Sequence, residues 1–130
     1  MDFKARVLIV DDRRSEVWFI ERVLQKEGFD IVNAFDGLEG LQKVEEERPD
    51  LIILDTIMPE LDGLQVLHYV RQHSTVPVIM IPGTLEADLL REALFNGADG
   101  YVIKPFTPTD LLALIRRKLG KPASPGVPSG

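Results

Sequence analysis

The chain has 130 residues, 45% of them apolar and 28% charged, with a formal charge of −6, which fits one folded domain with a core large enough to need no covalent staples. It has no cysteine and only two histidines, His68 and His73, so disulfides, thiolate metal sites, a cysteine nucleophile and a histidine-rich metal cluster are excluded. No apolar run approaches the ~18 residues of a membrane span, the first six residues lack a secretion signal, and the acidic balance argues against direct nucleic-acid binding. The expectation is a cytoplasmic protein with no membrane or nucleic-acid contact.

In chain order, Val7-Leu8-Ile9-Val10 is an almost wholly apolar run and reads as the first strand. The next segment has a helical stripe of Val17, Ile20, Val23 and Leu24, and Gly28 stands where a glycine ends a helix. Ile31-Val32-Asn33-Ala34 is more polar and reads as an edge strand. Asp36-Gly37-Leu38-Glu39 has the spacing of a capping box before Leu41 and Val44, and Pro49 closes that helix. Leu51-Ile52-Ile53-Leu54, Val78-Ile79-Met80-Ile81 and Tyr101-Val102-Ile103 are further strands, with Gly97 ending the helix between the last two. Thr107-Pro108-Thr109-Asp110 supplies an N-cap with proline at the first helical position, followed by Leu111, Leu112, Leu114 and Ile115. Continuous apolar runs suit strands buried on both faces of a parallel sheet, and five β-α repeats place helices on both faces of it. Residues 1–119 form the predicted domain. Residues 120–130, rich in proline, glycine and serine, read as a flexible tail or linker.

Asp11 and Asp12 follow the first strand directly and Asp55 follows the third. In an open parallel sheet the C-terminal strand ends share one edge, where ligands bind. If these strands are neighbours, three carboxylates meet there, and a hard cation such as Mg²⁺ relieves their repulsion. Lys104 follows the fifth strand and reaches the same edge. Carboxylates, a cation and one lysine suit the handling of a phosphoryl group. Taken singly, Asp12 is equally a cap for the first helix and Lys104 a solvated loop residue.

The landmarks Val10-Asp11-Asp12, Leu54-Asp55-Thr56-Ile57-Met58-Pro59, Asp62-Gly63, Gly97-Ala98-Asp99-Gly100-Tyr101 and Lys104-Pro105-Phe106, in this order, resemble the CheY-like receiver domain of bacterial two-component response regulators over residues 5–119. The resemblance implies a flavodoxin-like (βα)5 fold with strand order 2-1-3-4-5. It implies that Asp55 is the phosphoacceptor and that Mg²⁺ or Mn²⁺ is held by Asp12 and Asp55, by Asp11 mainly through water, and by the backbone carbonyl of Ile57. Lys104 would stabilise the phosphoryl group beside the Gly83 N–H, and the Lys104-Pro105 bond would be cis. The implied partners are a sensor histidine kinase or histidine phosphotransfer protein, and an output domain or downstream protein, with a homodimer as one option.

One position departs from the family pattern. A Ser or Thr is usual at the end of the fourth strand, and here Pro82 stands there, without side-chain donor or N–H. Thr84 is a substitute hydroxyl or, in the preferred reading, the cap of a helix over residues 85–96. Tyr101 occupies the family's switch-aromatic position or is an ordinary half-buried strand tyrosine. Trp18 lies off the helical stripe and is a docking hot spot or a loop cover, with Arg14 and Arg13 as aids to an acidic partner. The leading reading is a signalling phosphoacceptor rather than an enzyme. The alternative is a phosphorylation-independent pseudo-receiver that acts as an interaction module. An aspartyl-phosphatase fits poorly because Ile57 stands where its second acid is needed, and a flavodoxin fits poorly because the first strand leads into Asp11-Asp12.

Overall fold

The computed structural model describes residues 4–83, 91–94 and 96–119. Its elements run β1 (Arg6–Val10), α1 (Arg14–Lys26), β2 (Asp30–Ala34), α2 (Gly37–Glu47), β3 (Leu51–Asp55), α3 (Gly63–Arg71), β4 (Val78–Ile81), β5 (Gly100–Tyr101) and α4 (Pro108–Lys118). Residues 91–94 are also helical. The strands form one parallel sheet of order β2-β1-β3-β4-β5, the order expected from the sequence.

The unbroken apolar runs are explained by two cores, one on each face of the sheet. Alternate strand residues point to opposite faces. Val7, Ile9, Leu51, Ile53, Ile79 and Ile81 pack with Val17, Ile20 and Leu24 of α1 and Leu111 and Ile115 of α4. Their neighbours Leu8, Val10, Ile52, Leu54, Val78 and Met80 pack on the other side with Val66, Leu67 and Val70 of α3. Burying one such aliphatic side chain contributes about 1.5–3 kcal/mol, so the central strands carry much of the stability and hold their C-terminal ends rigidly.

The helix punctuation is largely as expected. Asp36 accepts from the Glu39 N–H at 2.8 Å, while Glu39 reaches back to the Phe35 N–H at 2.9 Å. Thr107 Oγ1 accepts from the Asp110 N–H at 3.0 Å, with Pro108 at the first turn. Gly28 and Gly97 have φ of 87° and 102°. Arg48 ends α2 in the left-handed region at φ 47°, and Pro49 after it disfavours further helix. The capping box of α3, in which Asp62 and Gln65 bond each other's backbone N–H at 2.9 Å, adds a start signal not anticipated from the sequence.

Two expectations need correction. β5 is paired only over Gly100–Tyr101, not Tyr101 to Ile103, although the Val102 N–H still donates to the Met80 carbonyl at 3.0 Å. The N-cap of α1 is Arg13, without a side-chain cap bond, so Asp12 does not cap that helix. Thr84, most of the helix expected over residues 85–96 and the tail over 120–130 lie outside the described residues.

Candidate functional site

Because β1 and β3 are hydrogen-bonded neighbours with Val10 opposite Leu54, the residues that follow them emerge side by side. Carboxylate oxygens of Asp11, Asp12 and Asp55 lie within 4.8 Å of one another. Asp11 is fully buried, Asp55 nearly so, and Asp12 is exposed. The cluster thus has a sealed floor and one open side. Asp11 Oδ1 accepts the Arg13 N–H at 2.9 Å, whereas Asp11 Oδ2 is buried without a hydrogen-bond partner among the described residues. An orphaned buried carboxylate oxygen beside two further carboxylates is a donor set that fits a hard divalent cation.

Among the described residues, the side-chain bonds of Asp55 fall on one oxygen. Its Oδ1 accepts from the Thr56 N–H at 2.9 Å and from Lys104 Nζ at 3.1 Å. Gly63, at the start of α3, fixes the backbone below it. Its N–H donates to the Thr56 carbonyl at 2.9 Å, and a Cβ at this position would stand 2.1 Å from the Asp55 carbonyl oxygen and 2.8 Å from Thr56 Cα. Only glycine allows α3 to approach the end of β3 so closely.

Lys104 lies after β5, where its N–H donates to the Pro82 carbonyl at 2.9 Å, and the Lys104-Pro105 peptide is cis. Its ammonium stands 2.7 Å from Glu16 Oε1, 3.1 Å from Asp55 Oδ1 and 4.0 Å from Asp11 Oδ2. Glu16 was not anticipated. As an acidic residue in the first turn of a helix it reads as solvated and dipole-friendly. The signal that finds it is spacing: Glu16, Ile20 and Leu24 recur every four residues along the stripe that faces the sheet.

The charges explain one another. Burial, then the neighbouring Glu16 carboxyl, pushes Asp11 up to about 8. Burial raises Asp55 as well, and the Lys104 ammonium only partly offsets this. For Glu16, burial works against its charge, but Asp11 and Lys104 outweigh it and the carboxyl is held below its ordinary value. Burial likewise opposes the charge of Lys104, and Glu16 and Asp55 overcome it, raising the ammonium. Burial and its neighbours thus favour the protonated form of Asp11, and its two partner carboxylates favour the charged form of Lys104.

The remaining candidates lie around this centre. Pro82 follows Ile81, which pairs with Asp55 across the sheet, and it is buried. Gly83 lines an open cavity of about 600 Å³ with Glu16, Phe19, Lys104 and Phe106. The Ile57 side chain is 75% exposed beside Asp55. Tyr101 is on β5 with its side chain 40% exposed. Trp18 is 58% exposed, with Arg22 over its ring at 4.9 Å. Arg14 stacks on Phe35 at 4.0 Å, so its guanidinium has a place of its own. Farther off, Asp99 Oδ2 accepts the Val78 N–H at 2.8 Å and pairs with Arg71 at 2.7 Å, pinning the start of β4. No helix among the described residues is long and apolar enough to cross a membrane.

Residues 7–116 match the family model described as response regulator receiver domain. The DNA-binding response regulator MtrA of Mycobacterium tuberculosis is 38% identical over 116 residues, which cover 89% of this chain and 51% of that protein. The alkaline phosphatase synthesis transcriptional regulatory protein PhoP of Bacillus subtilis is 38% identical over 112 residues, covering 85% of this chain and 47% of that protein. The chain thus spans about half the length of these curated relatives. Among solved structures, the Vibrio cholerae chemotaxis protein CheY4 superposes with a TM-score of 0.85 at 34% identity, covering 89% of this chain and 99% of that one.

Proposed function

The chain belongs to the response regulator receiver domain family of two-component signalling, and from that premise we propose that Asp55 is its phosphoacceptor. The observation that carries this is the convergence of Asp11, Asp12, Asp55 and Lys104 on one sheet edge. Both bonds to Asp55 described above fall on Oδ1, which leaves Oδ2 to attack phosphorus. An Asp55 oxygen–phosphorus bond forms as the nitrogen–phosphorus bond of a phosphohistidine breaks, and water later removes the group. Mg²⁺ or Mn²⁺ would be held by Asp12 and Asp55, by Asp11 mainly through water, and by the Ile57 carbonyl. When bound, the ion offsets the charge of the carboxylates and of the phosphoryl oxygens. Lys104 turns from Asp55 to a phosphoryl oxygen, and the Gly83 N–H serves another.

The phosphodonor in this reading is a sensor histidine kinase or a histidine phosphotransfer protein, with exposed Trp18 on α1 as its anchor and Arg14 at the rim. Pro82 offers no hydroxyl to pull toward the phosphoryl group, so the coupling to Tyr101 differs from the family's usual switch. The curated relatives are named as DNA-binding or transcriptional regulators. By analogy with them the whole protein's output is nucleic-acid binding, while the net charge of −6 argues against that contact lying on this chain.

The test is phosphotransfer from a small phosphodonor in Mg²⁺, with amide NMR in Mg²⁺ and beryllofluoride alongside. Wild type should gain one phosphoryl group and Asp55→Asn none. A wild-type spectrum that stays unmoved around Asp55 would sink the reading.

A further inference from the structure

Lys104 is shared, and its nearest partner lies outside the carboxylate trio that fits a cation. Glu16 Oε1, at 2.7 Å, is closer to the ammonium than Asp55 at 3.1 Å. Among the described residues that oxygen is sealed from solvent and makes no well-aligned hydrogen bond, while Oε2 faces Arg13 at 3.8 Å. Lys104 is the cation nearest the charge on Oε1. A phosphoryl group on Asp55 brings about two negative charges and three strong acceptor oxygens, and its claim on Lys104 competes directly with that of Glu16. A carboxylate fixed at the rim of the site also repels the incoming oxygens, in surroundings where screening is weak. Toward a cation the same charge acts in the opposite sense.

We propose that Glu16 is a positioning residue that competes with the phosphoryl group on Asp55 for the Lys104 ammonium, loosening the site's hold on the anion while strengthening its hold on the cation. This rests on the phosphoacceptor reading of Asp55. The two opposite signs separate it from a packing role, in which loss of Glu16 weakens both ligands together.

Glu16→Gln keeps the shape and removes the charge, and Glu16→Met makes the same charge change should the glutamine variant misfold. Glu46→Gln removes a charge from the exposed side of α2 as a control for net charge. The full chain is titrated with Mg²⁺ alone and then with beryllofluoride at saturating Mg²⁺, and the Lys104 ammonium resonance is followed with neither present. For Glu16→Gln, Mg²⁺ should bind about 2- to 5-fold more weakly and beryllofluoride about 3- to 30-fold more tightly, with the ammonium resonance displaced. Glu46→Gln should stay within about twofold of wild type. Beryllofluoride affinity in Glu16→Gln that equals or falls below wild type while Mg²⁺ still binds overturns the competition, as does an unmoved ammonium resonance. Mg²⁺ binding without beryllofluoride binding in wild type and Glu16→Gln alike defeats the phosphoacceptor reading, and the competition falls with it; beryllofluoride binding in Glu16→Gln alone supports both.

Discussion

Gly63→Ala tests how the site is held in place. The added methyl would stand 2.1 Å from the Asp55 carbonyl oxygen and 2.8 Å from Thr56 Cα, both backbone atoms of the rigid end of β3. Ordinary contacts of this kind begin near ~3.5 Å, so α3 must withdraw by more than an ångström or β3 must bend. Withdrawal strips contacts from Val66 and Val70, which lie in the core on that face. Overpacking of this kind costs about 1–3 kcal/mol and occasionally more, and the lost packing adds to it. The gain from replacing a helical glycine is at most ~1 kcal/mol. We expect a net loss of about 2–4 kcal/mol, or roughly 5–15 °C in Tm for a domain of this size. Urea melts followed by circular dichroism measure it, and Mg²⁺ titration by NMR reads the displacement of Asp55. A variant within about 0.5 kcal/mol of wild type, with the Asp55 amide unshifted, would refute the argument that close approach at Gly63 positions the acid.

Further outcomes concern charge and coupling. Because Asp11 is pushed from 3.8 up to about 8 in the fold, the folded protein holds a proton that the unfolded chain has released. Its stabilising contribution is complete below the unfolded pKa and is lost as pH rises through this window, by up to ~1.4 kcal/mol per pH unit. In metal-free urea melts between pH 5 and 7, Asp11→Asn should flatten that decline, and curves parallel to wild type would defeat it. Pro82→Thr supplies a hydroxyl and an N–H at the end of β4, and beryllofluoride-induced amide shifts should then reach Tyr101 more strongly than in wild type; shifts that reach no further than in wild type would count against a missing donor as the break in coupling. Arg71→Ala removes the 2.7 Å pair with Asp99 and the 2.9 Å bond to the Gly97 carbonyl, at a cost of about 1–3 kcal/mol by urea melt; a loss under ~0.5 kcal/mol would make that bracing superfluous.

Most of the sheet was legible because its strands obey one rule: a segment buried on both faces has no polar position to spare, as in Leu51–Asp55, where every residue is buried. The carboxylate trio was legible because strand order and chain direction together fix where Asp11, Asp12 and Asp55 emerge. β5 was overread because Val102 is as apolar as a strand residue needs to be, yet it is buried without extending the ladder; burial and pairing leave the same mark on a sequence. Glu16 escaped because a first-turn glutamate satisfies helix electrostatics equally well facing out or in. Its inward turn depends on Lys104, 88 residues later in the numbering, and no local pattern reports such a pairing.

The two-faced core has a consequence for which changes the site can absorb. Adjacent residues of β1 and β3 belong to opposite cores, so inserting or deleting one residue within either strand exchanges its two faces and also carries its terminal aspartates one residue along the edge, about 3.3 Å. Swapping one aliphatic residue for another leaves that ruler intact. The placement of the acids is thus insensitive to what the strands are made of and acutely sensitive to how many residues they contain.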